Sequence, residues 1–483
     1  MRPEPIYPKP APYKKHFVWR LFKGLHSWFG LLSDVDFRIP IGSVQFKGLN
    51  LFLVNQPAAV KRLMVEEVED FPKHPFTLWI LEPLIGRAIF SVNGPEWARQ
   101  RRLLDQAFQV AQLRKVLPQM AGAVDAMVER LDAAITQAQP TEPVTVEIDE
   151  AMTLVTADVI VRTILSRPLE GAEAAGIFEA FARYQRRAGQ ALMLRLLRLS
   201  ERRLQAYLGR HAGTIRGWIR AAIEVRLSGP EAASAGSHNS EPAGISSPPQ
   251  DLLQALIEAQ DPETGSRFSE EELVDQVCFL FLAGHETSAS ALGMATYLVS
   301  CYPEVQQRLR AEVQQLLGSE NSDRPLSFDD LRQLPYAAAV FNETLRLYPP
   351  VSFFIRESQR DSELVDRRCP MRSLVTISPW VIQRQEGQWP QPHGFQPERF
   401  LAETATPQDR QLAREAWLPF GLGPRKCPGA AFALQEAQLV LAELVRRYDL
   451  LPAEGPPPDL VGRLTLRSRN GIRVRLRRLS LNH

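Results

Sequence analysis

The sequence predicts a mainly α-helical protein with smaller β regions, built as a single large domain around one long central helix. Three observations carry this expectation. Helical periodicity dominates from Pro95 to about Arg226. A second helical stretch opens on a Ser269/Glu272 capping-box pattern, is apolar on all sides and is stopped by Pro303. At about 1.5 Å per residue it spans roughly 50 Å, long enough to cross the molecule. Strand-like alternation falls in short runs, at Phe37 to Val54, Val351 to Val381 and Leu464 to Leu479.

Met1 to Pro12 is proline-rich, with neither the apolar core of a signal peptide nor the roughly 20 apolar residues of a membrane span. A soluble, cytoplasmic protein without a membrane span is therefore expected. Residues 1–36 read as an N-terminal segment and residues 37–483 as the catalytic domain. Between Lys14 and Leu32, Lys14, Lys15, Arg20 and Lys23 alternate with Phe17, Trp19, Phe22 and Trp28. That pattern fits a surface helix packed on the body, with peripheral membrane contact as the alternative. Phe37 to Val54 breaks at Gly42 and Gly48, which suggests a small hairpin. Gln56 to Glu67 reads as a short helix and Pro72 to Phe90 as an irregular loop.

The helical region from Pro95 is interrupted near Pro118 and at Gln139 to Val146. From Arg183 to Arg226 eleven arginines face only Glu201 and Glu224, the pattern of a solvated basic face or of an electrostatic guide. Ser228 to Gln250 is rich in Ser, Ala, Gly and Pro, with little to bury, and reads as a flexible loop inside the domain. Helices follow near Pro303 to Leu317 and Phe328 to Leu347. The tail alternates around Asn470-Gly471 and reads as a terminal hairpin.

At 483 residues the chain exceeds one ordinary core, yet no interior linker divides it into balanced halves. Four scattered cysteines are too few for a disulfide framework, which fits a reducing cytosol. Lys plus Arg at 57 against Asp plus Glu at 55 gives a near-neutral chain and excludes wholesale nucleic-acid binding.

The stretch from Phe420 to Gly429 carries the chemistry. A lone cysteine, Cys427, ends a glycine-bearing loop and opens the helical stretch Ala430 to Arg447. Cys427 would sit at the N-cap and Pro428 at the first helical position. Free amides and the helix dipole there favour a thiolate, either metal ligand or nucleophile. Phe420, Gly423, Arg425, Cys427 and Gly429 fill every fixed position of the pattern F-x-x-G-x-R-x-C-x-G. The loop thus resembles the haem-binding signature of the cytochrome P450 family. The resemblance implies that family's fold, with the long helix over a haem b whose iron takes the Cys427 thiolate.

Further motifs extend the resemblance. Ala283-Gly284-His285-Glu286-Thr287-Ser288, in the middle of the long helix, is similar to the family's oxygen-activation motif. A Thr287 bond to the carbonyl one turn back would loosen the helix and open a notch beside Gly284. The resemblance makes Thr287 the holder of water and dioxygen, and Glu286 the proton relay. His285 lacks a ligand partner at i+4 and reads as an interior residue. Glu343 and Arg346, three apart on a helix, resemble the family's E-x-x-R, and with Arg399 of Pro397-Glu398-Arg399-Phe400 they would form a buried structural triad. Trp97 and Arg101 match its W-x-x-x-R; with Arg356 and Arg425 they would hold the haem propionates, Arg360 being an alternative to Arg356. Gln383 stands where members often have His, Ser288 replaces a common Thr, and the turn at Cys369-Pro370 lacks the usual glycine.

By the same resemblance the substrate pocket draws on Phe76, Trp79, Ile80, Leu84, Phe281, Ala283, Val351, Phe353 and Phe354. That apolar, aromatic set implies a lipophilic substrate: fatty acid, terpenoid or aromatic. The expected activity is a monooxygenase inserting one atom of O2 and releasing the other as water. A peroxygenase or isomerase on the same fold is the alternative, and a non-catalytic haem sensor or electron carrier a remote one. No flavin or nicotinamide module is visible, so NAD(P)H would act through a ferredoxin or flavodoxin type partner and its reductase. Docking near Lys426, Arg425, Arg99 and Arg102 is expected, on a probable monomer.

Overall fold

Apolar residues at helical spacing, with proline at first turns, set the helices of the computed structural model. It describes residues 4–13, 20, 23–24, 26–46, 48–138, 143–169, 176–177, 179–181, 183–188, 191, 200–228, 249–318 and 324–479. Residues 229–248 of the expected flexible loop, and the start of the basic, aromatic stretch after Lys14, lie outside the described residues. The longer helices are α1 (Gly94–Ala107), α2 (Val110–Ala138), α3 (Ile148–Leu165), α4 (Glu201–Leu227), α5 (Leu252–Glu258), α6 (Glu270–Cys301), α7 (Pro303–Leu317), α8 (Pro335–Leu347), α9 (Pro407–Glu415) and α10 (Ala430–Arg447). Among the described residues, none is long and apolar enough to cross a membrane.

The chain forms two compact units. The first comprises Met1–Pro72, Ala121–Thr156 and His285–His483, and the second Lys73–Met120 and Ala157–Gly284. The described strands all belong to the first: β1 (Ile41–Phe46), β2 (Leu49–Val54), β3 (Val144–Glu147), β4 (Phe354–Glu357), β5 (Ser362–Leu364), β6 (Arg367–Cys369), β7 (Leu374–Ile377), β8 (Tyr448–Pro452), β9 (Leu460–Gly462), β10 (Leu466–Ser468) and β11 (Arg473–Arg478). The largest sheet runs β1-β2-β7-β4, with β2 and β7 parallel and in register at Val54 and Ile377. Alternation along these strands buries Phe52, Val54, Val375 and Ile377 in one core with Phe71 and Trp389.

Local rules fail at four places. Pro118 does not interrupt α2; it is exposed, so water can serve the carbonyl that loses its amide partner. The expected helix from Phe328 to Leu347 is split, because α8 begins on Pro335 after a separate turn at Phe328–Leu331. The region from Pro72 to Phe90, expected to be irregular, holds helical turns at Pro75–Leu78 and Glu82–Ile85. The tail is no hairpin. β10 pairs with β9, while β11 is flanked by β3 and β8, so Asn470-Gly471 turns the chain from one sheet to another.

The N-terminal segment belongs to the first unit. Tyr348 donates its hydroxyl to the Ile6 carbonyl at 2.8 Å. Tyr7 stacks on His393 at 4.1 Å and faces the fully buried Arg384, whose guanidinium lies 3.6 Å over the Trp380 ring. Burial holds that guanidinium down to about 9.

The buried ion pair of α8 fixes the long connection that leads to α9. Arg346 grips Glu343 through two bonds of 2.7 and 2.8 Å, and both side chains are fully buried. Its remaining donors reach the carbonyls of Gln383, Pro392 and Gly394 at 2.9, 2.8 and 2.8 Å. Arg399 lies 3.6 Å from Glu343 and 3.4 Å from Asp409. Removing one partner strands the others without water. Glu343→Ala should therefore lower the unfolding free energy by about 3–5 kcal/mol in denaturant titration. Glu398→Ala, which breaks only an exposed pair with Arg308, should cost under about 1 kcal/mol. Equal losses in the two variants would refute a special role for the buried pair.

Candidate functional site

The cysteine loop is closed by its own backbone. Gly421 donates to Leu418 at 3.0 Å, Lys426 to Gly423 at 3.1 Å, and Cys427 to Phe420 at 2.8 Å. Gly421 and Gly423 have φ of +76° and +70°, the left-handed region that glycine tolerates. A side chain at Gly423 would also collide with the Met64 carbonyl in the π-turn Arg62–Glu66 that continues the short Pro57–Lys61 helix. Cys427 is not the N-cap. α10 is capped by Gly429, so the cysteine closes the loop two residues earlier, its N–H already bonded to Phe420. Of the four cysteines, Cys427 is the exposed one; burial pushes the Cys278 thiol up to about 12, and Cys301 is also raised by burial.

Beside this loop the charge is cationic. Arg356, on β4, is 7% exposed; its Nη1 donates to Ile355 at 3.3 Å and its Nε makes no hydrogen bond. Burial first, and then the Arg425 charge, hold it down to about 10. Arg425 is likewise lowered by burial. Arg360 differs: it is half exposed and paired with Asp70 at 2.9 Å and Glu67 at 3.6 Å. Trp97 and Arg101 lie on α1, in the second unit; Trp97 is buried and Arg101 pairs with Asp105 at 2.8 Å.

On α6 the motif splits by exposure. Ala283, Gly284 and Thr287 are half-buried, while His285, Glu286 and Ser288 are buried. Gly284 has a packing reason that sequence reasoning missed: a methyl there would collide with the Ile160 side chain of α3. The Thr156 hydroxyl lies 3.0 Å from the His285 carbonyl. Glu286 Oε1 accepts from Thr465 Oγ1 at 2.8 Å and from Arg467 Nη2 and Nε at 2.7 and 3.0 Å. Neither Thr465 nor Arg467 stands out in the sequence.

Glu436 was also missed. It is 1% exposed on α10, and burial pushes its carboxyl up to about 8 against a hydrogen bond with Ser288. Its signal is an acid among Phe432, Leu439 and Val440 at i−4, i+3 and i+4.

In the second unit Trp79, Leu84 and Phe281 are buried, and the Ile80 carbonyl accepts from Tyr184 at 2.7 Å. Phe181 stacks on Phe281 at 4.5 Å and Trp218 meets it edge-on at 6.5 Å. The Phe76 side chain lies outside the described residues. In the first unit Val351 is half-buried, Phe353 sits edge-on to Trp28 at 4.8 Å, and Phe354 packs on the main sheet core. Phe353 and Phe354 thus serve the packing of that unit. Arg99 pairs with Glu272, and Arg102 with Asp261 at 2.6 Å and Glu263 at 3.1 Å. Those pairs leave little net charge at two of the four expected docking positions, while Lys426 stays exposed beside Cys427.

A family model described as Cytochrome P450 matches residues 5–474. Cyclooctatin synthase of Streptomyces melanosporofaciens is 32% identical over 380 residues, covering 77% of this chain and 75% of that protein. Cyclooctat-9-en-7-ol 5-monooxygenase of the same organism is 30% identical over 378 residues, covering 77% and 74%. The solved structure of retinoic acid bound cyanobacterial CYP120A1 matches with a TM-score of 0.74 at 26% identity, over 91% of this chain and 92% of that one.

Two outcomes follow from the geometry. Gly284→Ala should destabilise the protein by about 1–3 kcal/mol, and Ile160→Val, which trims the colliding atoms, should restore part of that loss in a double-mutant cycle. Additive losses would show that the two sites do not meet. For Glu436 the folded pKa lies above the unfolded one, so its stabilisation is complete below the unfolded value and is lost as pH rises to about 8. Wild-type unfolding free energy should therefore fall between pH 5 and 8 more steeply than that of Glu436→Gln, by up to about 1.4 kcal/mol per pH unit. Parallel pH profiles would contradict the burial argument.

Proposed function

The chain belongs to the cytochrome P450 family, and on that footing we propose that it hydroxylates a terpenoid-like lipophilic substrate, with Cys427 as its thiolate ligand. It is a cytochrome P450 monooxygenase: its cofactor is haem b on a cysteine thiolate, its co-substrate is O2, and its electrons come from a separate partner. Bound haem supplies the activation of dioxygen, which the electron push of a thiolate ligand favours.

The observation that carries the assignment is the pairing of an exposed thiol with buried guanidiniums. Arg356 and Arg425 depress each other's basicity through burial and like charge, with Glu69 the acid acting on Arg425. A dianionic group would relieve both, and the two propionates of haem are such a group. Arg356 is favoured over Arg360, which two surface carboxylates already engage. Trp97 and Arg101 complete the propionate set by family position. Phe420 and Gly429 bound the loop that presents Cys427, and Ala283 and Gly284 supply the small residues of α6. Glu286 and Thr287 move protons inward, a pair of direct use to an O2-dependent oxygenase.

Trp79, Ile80, Leu84 and Phe281, with Phe76, Ala283, Val351, Phe353 and Phe354, make the proposed pocket apolar and aromatic. One relative's name specifies oxidation of cyclooctat-9-en-7-ol, and a structural neighbour's title specifies bound retinoic acid. Both are alicyclic isoprenoids, which places terpenoids ahead of fatty acids here. A ferredoxin or flavodoxin would deliver electrons on the Lys426 face, and the chain would work as a monomer.

The reduced, CO-bound absorbance tests the ligand: wild type should give the thiolate spectrum and Cys427→Ala should lose it. Arg356→Gln should retain haem about tenfold or more weakly, as expected for a lost charge-assisted bond of 1.5–3 kcal/mol, whereas Arg360→Gln should match wild type. A thiolate spectrum in Cys427→Ala, or equal haem loss from both arginine variants, would overturn these roles. Displacement of the iron-bound water by diterpenoid alcohols but not by fatty acids checks the substrate class.

A further inference from the structure

We infer that Thr465 and Arg467, in the β9–β10 hairpin, latch the Glu286 carboxylate and make that hairpin the gate through which protons enter the site. The inference rests on Glu286 as the proton carrier and adds the residues that control it.

All three hydrogen bonds from the hairpin converge on one oxygen. Thr465 Oγ1 and both Arg467 nitrogens lie within 3.0 Å of Glu286 Oε1. Bonds between ionised groups are roughly twice as strong as neutral ones, so the carboxylate is held in one orientation. His285, a second titratable group, has its Nε2 3.9 Å from Oε2. The hairpin backbone is tied to the same helix: Ser290, one turn beyond Glu286, donates to the Leu466 carbonyl at 2.6 Å. Thr465 and Arg467 are therefore set on either side of an anchored residue, and their reach to Glu286 is fixed by backbone.

The latch also spans the boundary with solvent. The Arg467 side chain is 25% exposed and that of Glu286 only 9%. Arg467 lines a cavity with Asp149, Ser290 and Ser468, polar groups able to hold an ordered water. A guanidinium donates hydrogen bonds but does not give up a proton at ordinary pH. Arg467 thus cannot relay a proton itself and acts by moving aside. When the pair opens, Glu286 takes one proton from water in this cavity, passes it inward toward Thr287, returns to its charged form and is recaptured. No net charge stays on the carboxylate. Electrons come from the redox partner and protons from solvent. Arg467 is a positioning residue, acting through Glu286.

The experiment uses the full-length holoenzyme and the variants Arg467→Met, Thr465→Val and Glu286→Gln. The infrared carboxyl band that disappears in Glu286→Gln should titrate about one pH unit or more higher in Arg467→Met, because an opposite charge has been removed. In partner-driven turnover Arg467→Met should change the solvent deuterium isotope effect by about twofold and raise hydrogen peroxide release, with peroxide-driven turnover unchanged. Thr465→Val, which removes one neutral donor, should shift both readouts in the same direction by less. An unshifted band, or an isotope effect and peroxide release equal to wild type in both hairpin variants, overturns the gate. Equal loss of peroxide-driven and partner-driven turnover in both variants would also overturn it, since that is the result of a structural role alone. If Glu286→Gln itself leaves the isotope effect unchanged, the reading of Glu286 as carrier fails instead.

Discussion

The pair Glu343–Arg346 is the constraint on which the first unit depends. Its charges are out of water, so every donor of Arg346 must find an acceptor inside, and three of those acceptors are carbonyls between Gln383 and Gly394. Gln383 then carries the order onward. Its amide donates to the Leu345 and Arg346 carbonyls and its oxygen accepts from the Leu418 N–H at 2.7 Å, two residues before Phe420. A buried ion pair on one helix is thus wired by hydrogen bonds to the start of the cysteine loop. The departure from the usual His at this position is explained by that double duty, since one amide group both donates and accepts.

A second principle runs through the site: charges are buried ahead of their counter-charge. Arg356 and Arg425 share a low-dielectric region in which each lowers the other. Glu436 meets the same problem by holding its proton, and Glu286 meets it by pairing with Arg467. Three solutions to one desolvation cost give three chemical states: a strained cation pair that welcomes an anion, a neutral acid and a tethered carboxylate.

Much of the fold was legible because its determinants are local. The capping box at Ser269 and Glu272 forms as the spacing implies, with bonds of 2.8 and 3.3 Å, and Pro303 opens the next helix. The Phe420 to Gly429 loop was legible for the same reason, its glycines marking the positive φ values found there. What stayed hidden depends on partners distant in sequence. Arg467 lies 181 residues from Glu286, and no spacing rule connects them. β11 has a turn signal before it, yet it pairs with β3 and β8, so local hairpin chemistry lost to the burial of Val474 and Leu476 between two strands. The N-cap was misplaced because the Cys427 N–H was assumed free, when the loop had already used it.

The docking of the N-terminal segment has a consequence for how the chain is made. The Ile6 carbonyl is held by a residue 342 positions later, and Tyr7 covers Arg384, later still. β2 likewise waits for β7. A ribosome releases the amino end first, so these surfaces have no native partner until three-quarters of the polypeptide has emerged. Such long-range pairing is slow and leaves apolar edges open meanwhile. The proline-rich opening of the chain then gains a second meaning: an extended segment poor in N–H donors cannot readily be captured by the wrong strand while it waits.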